Sequence, residues 1–299
     1  MRIDELPKSD RIEDRRGGFS GLPGGRGGLG IGTIVVLGLI GWALGIDPRV
    51  LIEGAETISG NDRTQQQSDA GSPTSTATPS DAMGQFVSAV LGSTEAQWTT
   101  IFAQAGKRYE PPTLVMFSGA TQSGCGSAQS AMGPFYCPID RKVYLDTSFF
   151  QDLERRFRGC DVGSKTCQFS QAYVIAHEIG HHVQNQLGLL PRVQEEQRGM
   201  DKVEANGLQV RVELQADCLA GVWANRAEEK WRFIEPGDVE AAMQTASAIG
   251  DDRLQRQSQG YVVPDAFTHG TSAQRTRWFM SGLKSGDLGS CDTFRASQL

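Results

Sequence analysis

The stretch "HEIGHH", His177 to His182, gathers three of the chain's four histidines beside one glutamate. On an α-helix His177 and His181 lie one turn apart on the same face, so both imidazoles can point at a single ion. Two histidines with this spacing hold zinc, and the glutamate between them, Glu178, acts as base toward a water that the ion activates. The competing reading of the five residues alone is an amphipathic helix carrying surface histidines. His182 is turned by about 100° from His181 and does not share the same metal. A catalytic zinc takes three protein ligands and a water, so one donor is still missing.

Counting onward along the motif does not supply it. The long variant H-E-x-x-H-x-x-G-x-x-H needs Gly and His where this chain has Gln184 and Leu187. The next apolar helical stretch, Gly207 to Trp231, offers Glu213 and Asp217 four residues apart, amid Val210, Val212, Leu214, Leu219 and Val222. Two carboxylates at that spacing repel each other, and a positive charge opposite them removes the conflict. Glu213 as the third ligand, with Asp217 accepting the free ring N–H of His177 or His181, satisfies both carboxylates. The alternative is that the pair serves Arg211 or another surface cation. Glu195, Glu196 and Glu204, in polar surroundings, are the weaker ligand candidates.

Two helices must hold these groups. Ser170 is a suitable N-cap for the motif helix, Gly188 a stop, and Pro191 prevents its continuation. Ala216, Ala220 and Gly221 make the second helix thin enough for close approach. Upstream, "MGQFVSAVLG" and "TEAQWTTIFAQAG" have helical apolar spacing, "PPTLVMFSG" reads as a strand, and "GPFYCPIDRKVYLD" reads as a hairpin around "PIDRK". "TSFFQDLERRF" is a helix capped by Thr147 or Ser148. This order predicts an α+β domain, mostly helical with a small antiparallel sheet.

The N-terminal third has a different composition. Residues 1–26 mix charges with Gly and Pro, without an apolar period, and read as a flexible tail. Gly27 to Ile46 is twenty residues without a charge, enough to span a bilayer as one transmembrane helix. Arg15, Arg16 and Arg26 precede it, which predicts a cytoplasmic N-terminus and an extracytoplasmic remainder. A cleaved signal peptide ending near Ala43–Gly45 is the alternative. Gly41 and Gly45 form a small-xxx-small pair, a weak signal for a homodimer through the span. Residues 47–82 read as a disordered linker, leaving 83–299 as one globular domain. Its six cysteines suggest disulfides in an exported protein, by proximity Cys125–Cys137 and Cys160–Cys167, with Cys218–Cys291 remaining. The net charge of -6 argues against nucleic acid as a partner.

Four segments, "HEIGHHVQNQLG", "VELQADCLAGVWA", "YVVPDAFTHGTSAQRTRWF" and the Gly-rich N-terminus, resemble the bacterial neutral zinc metallopeptidases, the YpfJ-like proteins, over nearly the whole chain. Glutamate-ligand zinc peptidases such as thermolysin share a zinc-binding Glu followed four residues later by an Asp that supports a histidine. The resemblance implies a zincin-like fold with one Zn2+ per chain held by His177, His181 and Glu213, Glu178 as base, and Asp217 behind a histidine. It further implies an oxyanion donor downstream of the third ligand. His269 is the only histidine left for that role, and Arg275, one turn into the following helix, is the competing donor, or holds a carboxylate such as Asp217. By the same likeness an edge strand, "RKVYLD", receives an extended peptide; an ordinary structural strand is the other reading. The expected function is that of a membrane-anchored zinc endopeptidase acting on peptide or protein substrates. Its alternatives are a non-catalytic tethered binding domain with a structural zinc and hydrolysis of a non-peptide amide.

Overall fold

A computed structural model describes residues 1–16, 79–129, 133–155 and 166–299. The strands are β1 (Ile12–Asp14), β2 (Thr113–Phe117), β3 (Ala120–Ser123), β4 (Gly126–Gln129), β5 (Phe135–Cys137) and β6 (Lys142–Asp146). The helices are α1 (Ala82–Gln104), α2 (Phe149–Arg155), α3 (Cys167–Gln186), α4 (Leu189–Gln197), α5 (Lys202–Trp231), α6 (Asp238–Ala248), α7 (Asp251–Gln259) and α8 (Ser272–Ser285). The result is the expected mostly helical α+β fold. The sheet, however, is mixed. Its order is β1-β2-β6-β5, with β1 and β6 parallel to β2 and only β5 antiparallel to its neighbour, while β3 and β4 form a separate hairpin. The "PIDRK" turn does join β5 and β6. The excursion from β2 through β3, β4 and β5 is long enough for β6 to return parallel to β2, which a direct hairpin forbids.

Residues 1–16 are not a loose tail. Ile12, Glu13 and Asp14 pair with Leu114, Val115 and Met116. Met1, Leu6 and Ile12 are buried in the main core, and Ser9 is bonded to Ser88 of α1 in both directions, at 3.0 and 2.7 Å. Arg16 grips Asp81, the N-cap of α1, with two bonds of 3.1 and 2.6 Å. The chain therefore leaves and re-enters this unit at one place. Strand pairing needs both partners in one compartment, so β1 and β2 share one. The expected span Gly27–Ile46 and most of the linker lie outside the described residues, and among the described residues no helix is long and apolar enough to cross a membrane.

The core lies between the sheet and the helices α1, α3 and α5, where Val87, Val90, Leu114, Ile175, Ile179, Leu214 and Trp223 are all inaccessible or nearly so. The motif helix starts at Cys167, three residues before the expected cap. Ser170 is buried inside it, whereas Gly188, at φ 77°, ends it as expected. The α3–α5 crossing is centred on Gly180, whose added Cβ would come within 3.0–3.3 Å of Ala216. Gly221 does not serve this crossing. It faces α8, where a Cβ on Gly282 would lie 1.9 Å from the Cys218 carbonyl oxygen, so α5 and α8 touch through backbone. Disulfides join Cys125 to Cys137 and Cys218 to Cys291. Cys167 is also disulfide-bonded; its expected partner Cys160 lies outside the described residues.

Candidate metal centre

The packing of α3 against α5 brings His177, His181 and Glu213 together, with one donor atom from each lying within 4.8 Å of the others. One Glu213 oxygen, Oε2, lies 3.2 Å from His177 Nε2 and 3.5 Å from His181 Nε2. Both Nδ1 atoms face away. His177 Nδ1 is 2.8 Å from Asp217 Oδ1, and His181 Nδ1 is 2.9 Å from the side-chain oxygen of Gln184. Gln184 is in turn anchored to α5 through the Val212 carbonyl, 2.8 Å away. Such outer contacts fix which ring nitrogen is presented to a metal. Asp217 thus supports His177, and Gln184, noticed in the sequence only as the wrong residue for a longer motif, supports His181. Gln209 donates to the second Glu213 oxygen at 3.0 Å.

The electrostatics follow from burial and pairing. Burial opposes ionisation of Glu213 and Asp217, yet His181 and His177 hold Glu213 well below the usual carboxylate range. Arg275 and His177 bring Asp217 to about 2. Burial also works against a charged His177, but Asp217 and Glu213 overcome it and raise that imidazole to about 10. For Glu178 burial wins over the two histidines and pushes the carboxyl upward.

Other expected residues separate clearly. His182 is interior, 1 % exposed, with Nδ1 3.0 Å from the Tyr136 hydroxyl and Nε2 2.7 Å from the Glu110 carbonyl. Burial drives it to about 4, so it ties α3 to the sheet as a neutral ring. Arg211 donates to the carbonyls of Thr293 and Ala296 rather than to either carboxylate. Glu195 and Glu196 pair with Arg198 and Arg192 on the surface, and Glu204 sits in the first turn of α5.

His269 lies in the loop before α8, whose N-cap Thr271 forms a capping box with Gln274. Gly270 packs on Val210 and Leu214 of α5, which puts His269 close enough to Glu213 for each to shift the other's titration. Nothing in the sequence marks Asp251. Its Oδ2 accepts the backbone N–H groups of Thr268, His269 and Gly270 at 2.7, 2.6 and 3.1 Å, and its Oδ1 lies 3.2 Å from His269 Nδ1. Partial burial opposes a charged His269, and the Asp251 bond and Glu213 raise its pKa in spite of it. Arg275 points at Asp217, with Nε 2.9 Å from Oδ2 and Nη2 3.0 Å from Oδ1. Two of its three guanidinium nitrogens are thus directed at Asp217. The strand "RKVYLD" is β6, flanked by β2 and β5, and so is not an edge; among the described strands of this sheet the edges are β1 and β5.

Fold and donor set together define a class, an α+β protein in which an H-E-x-x-H helix and a carboxylate from a crossing helix converge on one point. The chain belongs to the family described as "Putative neutral zinc metallopeptidase", whose model matches residues 1–294. It is 45% identical to the "Uncharacterized protein YpfJ" of Escherichia coli K12, over 99% of this chain and 100% of the relative. It is 44% identical to the "Uncharacterized protein Mb2605" of Mycobacterium bovis, over 71% of each chain. No solved structure matches it. The family implies zinc, and the donors fit. Zinc bonds of about 2.0–2.2 Å at tetrahedral angles separate neighbouring donors by about 3.3–3.6 Å, close to the 3.2 and 3.5 Å between the Glu213 oxygen and the two Nε2 atoms.

Proposed function

We propose that the chain is a zinc-dependent endopeptidase acting on extended peptide segments at the α3–α5 crossing. The observation that carries this reading is the buried Glu178, with its raised pKa, placed beside a point where two Nε2 atoms and a carboxylate oxygen already converge. His177, His181 and Glu213 would hold the ion, which when bound would supply Lewis-acid activation of a water and of the scissile carbonyl. Glu178 takes the proton from the attacking water and returns one to the leaving amine. A carboxyl raised toward the working pH suits both transfers. Asp217 and Gln184 keep the two rings turned so that Nε2 faces inward. His269, kept protonated by Asp251, donates a hydrogen bond to the oxygen on which negative charge develops. The edge strand β5 borders α3, to which Tyr136 is bonded through His182 and Asn185, and its free side suits an added peptide strand.

The disulfides favour an oxidising compartment outside the cytoplasm. In this reading residues 1–16 share that compartment, and any membrane contact through Gly27–Ile46 is made from that side. The test is to incubate the purified, zinc-loaded full chain with a mixed peptide library, beside a Glu178→Ala variant of equal zinc content. Internal cleavage that disappears in the variant, stops on chelation and returns with added zinc is the expected result. Intact peptides with the zinc-loaded wild type would refute it.

A further inference from the structure

Arg275 uses its guanidinium in three directions. Nε and Nη2 form the side-on pair with Asp217, Nη2 also donates to the Tyr173 hydroxyl at 3.2 Å, and Nη1 donates to the Ile249 carbonyl at 3.3 Å. The side chain is 3 % exposed, and burying such a charge is costly unless its partners repay the cost. On the metal side, Asp217 Oδ1 accepts from Tyr173 at 2.6 Å as well as from Arg275, and it faces His177 Nδ1. On the other side, Ile249 ends α6 just before Gly250 and Asp251, the residue that holds the His269 loop. Arg275 and His269 themselves flank the cap of α8. A single planar fork thus lies between the support of a metal histidine and the support of the oxyanion donor.

We propose that Arg275 is a positioning residue shared by the two halves of the centre: by its bond to Asp217 it sets the ring of His177, and by its bond to Ile249 it sets the placement of Asp251 and His269. This rests on the peptidase reading for the second role and only on zinc binding for the first. With Arg275 in place Asp217 is a paired carboxylate that accepts from His177 Nδ1 and leaves Nε2 for the ion. Lysine supplies the charge but not the fork, so it can meet Asp217 or Ile249 but not both.

Zinc affinity by competition with a chelating dye separates the two roles, together with kcat and KM at saturating zinc and the d–d spectrum of the cobalt-substituted protein. Arg275→Gln is expected to weaken zinc binding by about ten- to a hundredfold and to alter the cobalt spectrum. Arg275→Lys is expected to recover most of the affinity while kcat stays at least several-fold low with KM little changed. In the double variant with Asp217→Asn the losses of affinity should not add, because one residue acts through the other. A folded Arg275→Gln with wild-type zinc affinity and cobalt spectrum would overturn the proposal, as would additive losses. If neither Arg275 variant folds, Tyr173→Phe decides. It removes one donor from the same carboxylate oxygen, so several-fold weaker zinc binding supports the shared support and unchanged binding overturns it. Should the wild type bind zinc but cleave nothing, the peptidase reading fails while the affinity measurements still judge the metal-side role.

Discussion

Removing the His269 side chain should leave the metal in place and slow the chemical step. A developing oxyanion that loses one positioned donor costs about 10²–10³ in kcat, equivalent to roughly 3–4 kcal/mol. The His269 side chain is about half exposed, at 51%, so water can partly replace it. The lower end of that range, about a hundredfold, is therefore expected for His269→Ala, with KM little changed. Asp251→Asn tests the support behind it. The amide oxygen can still receive the loop N–H groups, but the charge-assisted 3.2 Å bond to Nδ1 is gone. One such bond at a half-exposed site is worth about 1 kcal/mol, or roughly fivefold in rate.

The pH profile carries a second signature. Asp251 raises the folded pKa of His269, so the protonated, donating form is fully present below the ordinary imidazole value and is lost as pH rises through the raised one. Asp251→Asn should move this alkaline limb of kcat to lower pH. Steady-state rates on a fluorogenic peptide, measured from pH 5 to 10 with zinc content checked in each sample, give both numbers. The reasoning fails if zinc-loaded His269→Ala keeps a near-normal kcat. It fails equally if Asp251→Asn costs as much in the His269→Ala background as alone, because the carboxylate would then not act through the histidine.

Deleting residues 1–16 should lower stability by about 5 kcal/mol or more, since Met1, Leu6 and Ile12 each bury a side chain worth about 1.5–3 kcal/mol; thermal melts of the two chains decide, and an unchanged Tm would mean that β1 is dispensable. Zinc affinity should tighten as pH rises. The folded pKa of His177 is raised to about 10, so below that value the ion must displace a proton, and about tenfold per pH unit is expected for each proton released. Chelator competition at pH 6, 7 and 8 that showed no pH dependence would contradict the protonated imidazole.

The metal centre was legible because its parts are local and periodic. His177 with His181, and Glu213 with Asp217, are pairs one helical turn apart, and periodicity alone sets each pair on one face. What faces those pairs is a matter of tertiary packing. The sequence leaves Arg275 either an oxyanion donor or a partner for Asp217, and only the α5–α8 crossing, where Gly282 rides on the Cys218 carbonyl, brings it to Asp217. Asp251 lies 18 residues from His269 and looks like any acidic residue at a helix start. The N-terminal strand escaped for another reason. Three residues can join a sheet edge without an apolar period of their own, because β2 supplies the template and isolated residues such as Leu6 and Ile12 supply the burial. The central place of β6 was hidden likewise, since parallel pairing with β2 leaves no local signal.

The charges around the crossing explain why two carboxylates at i and i+4 coexist inside this core. Glu213 is turned toward the imidazoles and Asp217 toward Arg275, so the two never face each other. With the histidines neutral, the carboxylates Glu178, Glu213 and Asp217 against the one guanidinium of Arg275 leave two uncompensated negative charges. Asp251 and His269 form a separate pair that cancels itself. Burial opposes charge on His177 and His181, yet the carboxylates beside them raise both, so that protons offset the deficit, whereas Glu178 is pushed upward by its own burial. A divalent cation held by His177, His181 and Glu213 would supply two charges at once and take the place of the imidazole protons. Neutralising Asp217 or Arg275 would break this balance from behind, without touching a donor atom, which is why the interior side of the α5–α8 contact bears on the chemistry as directly as the donors themselves.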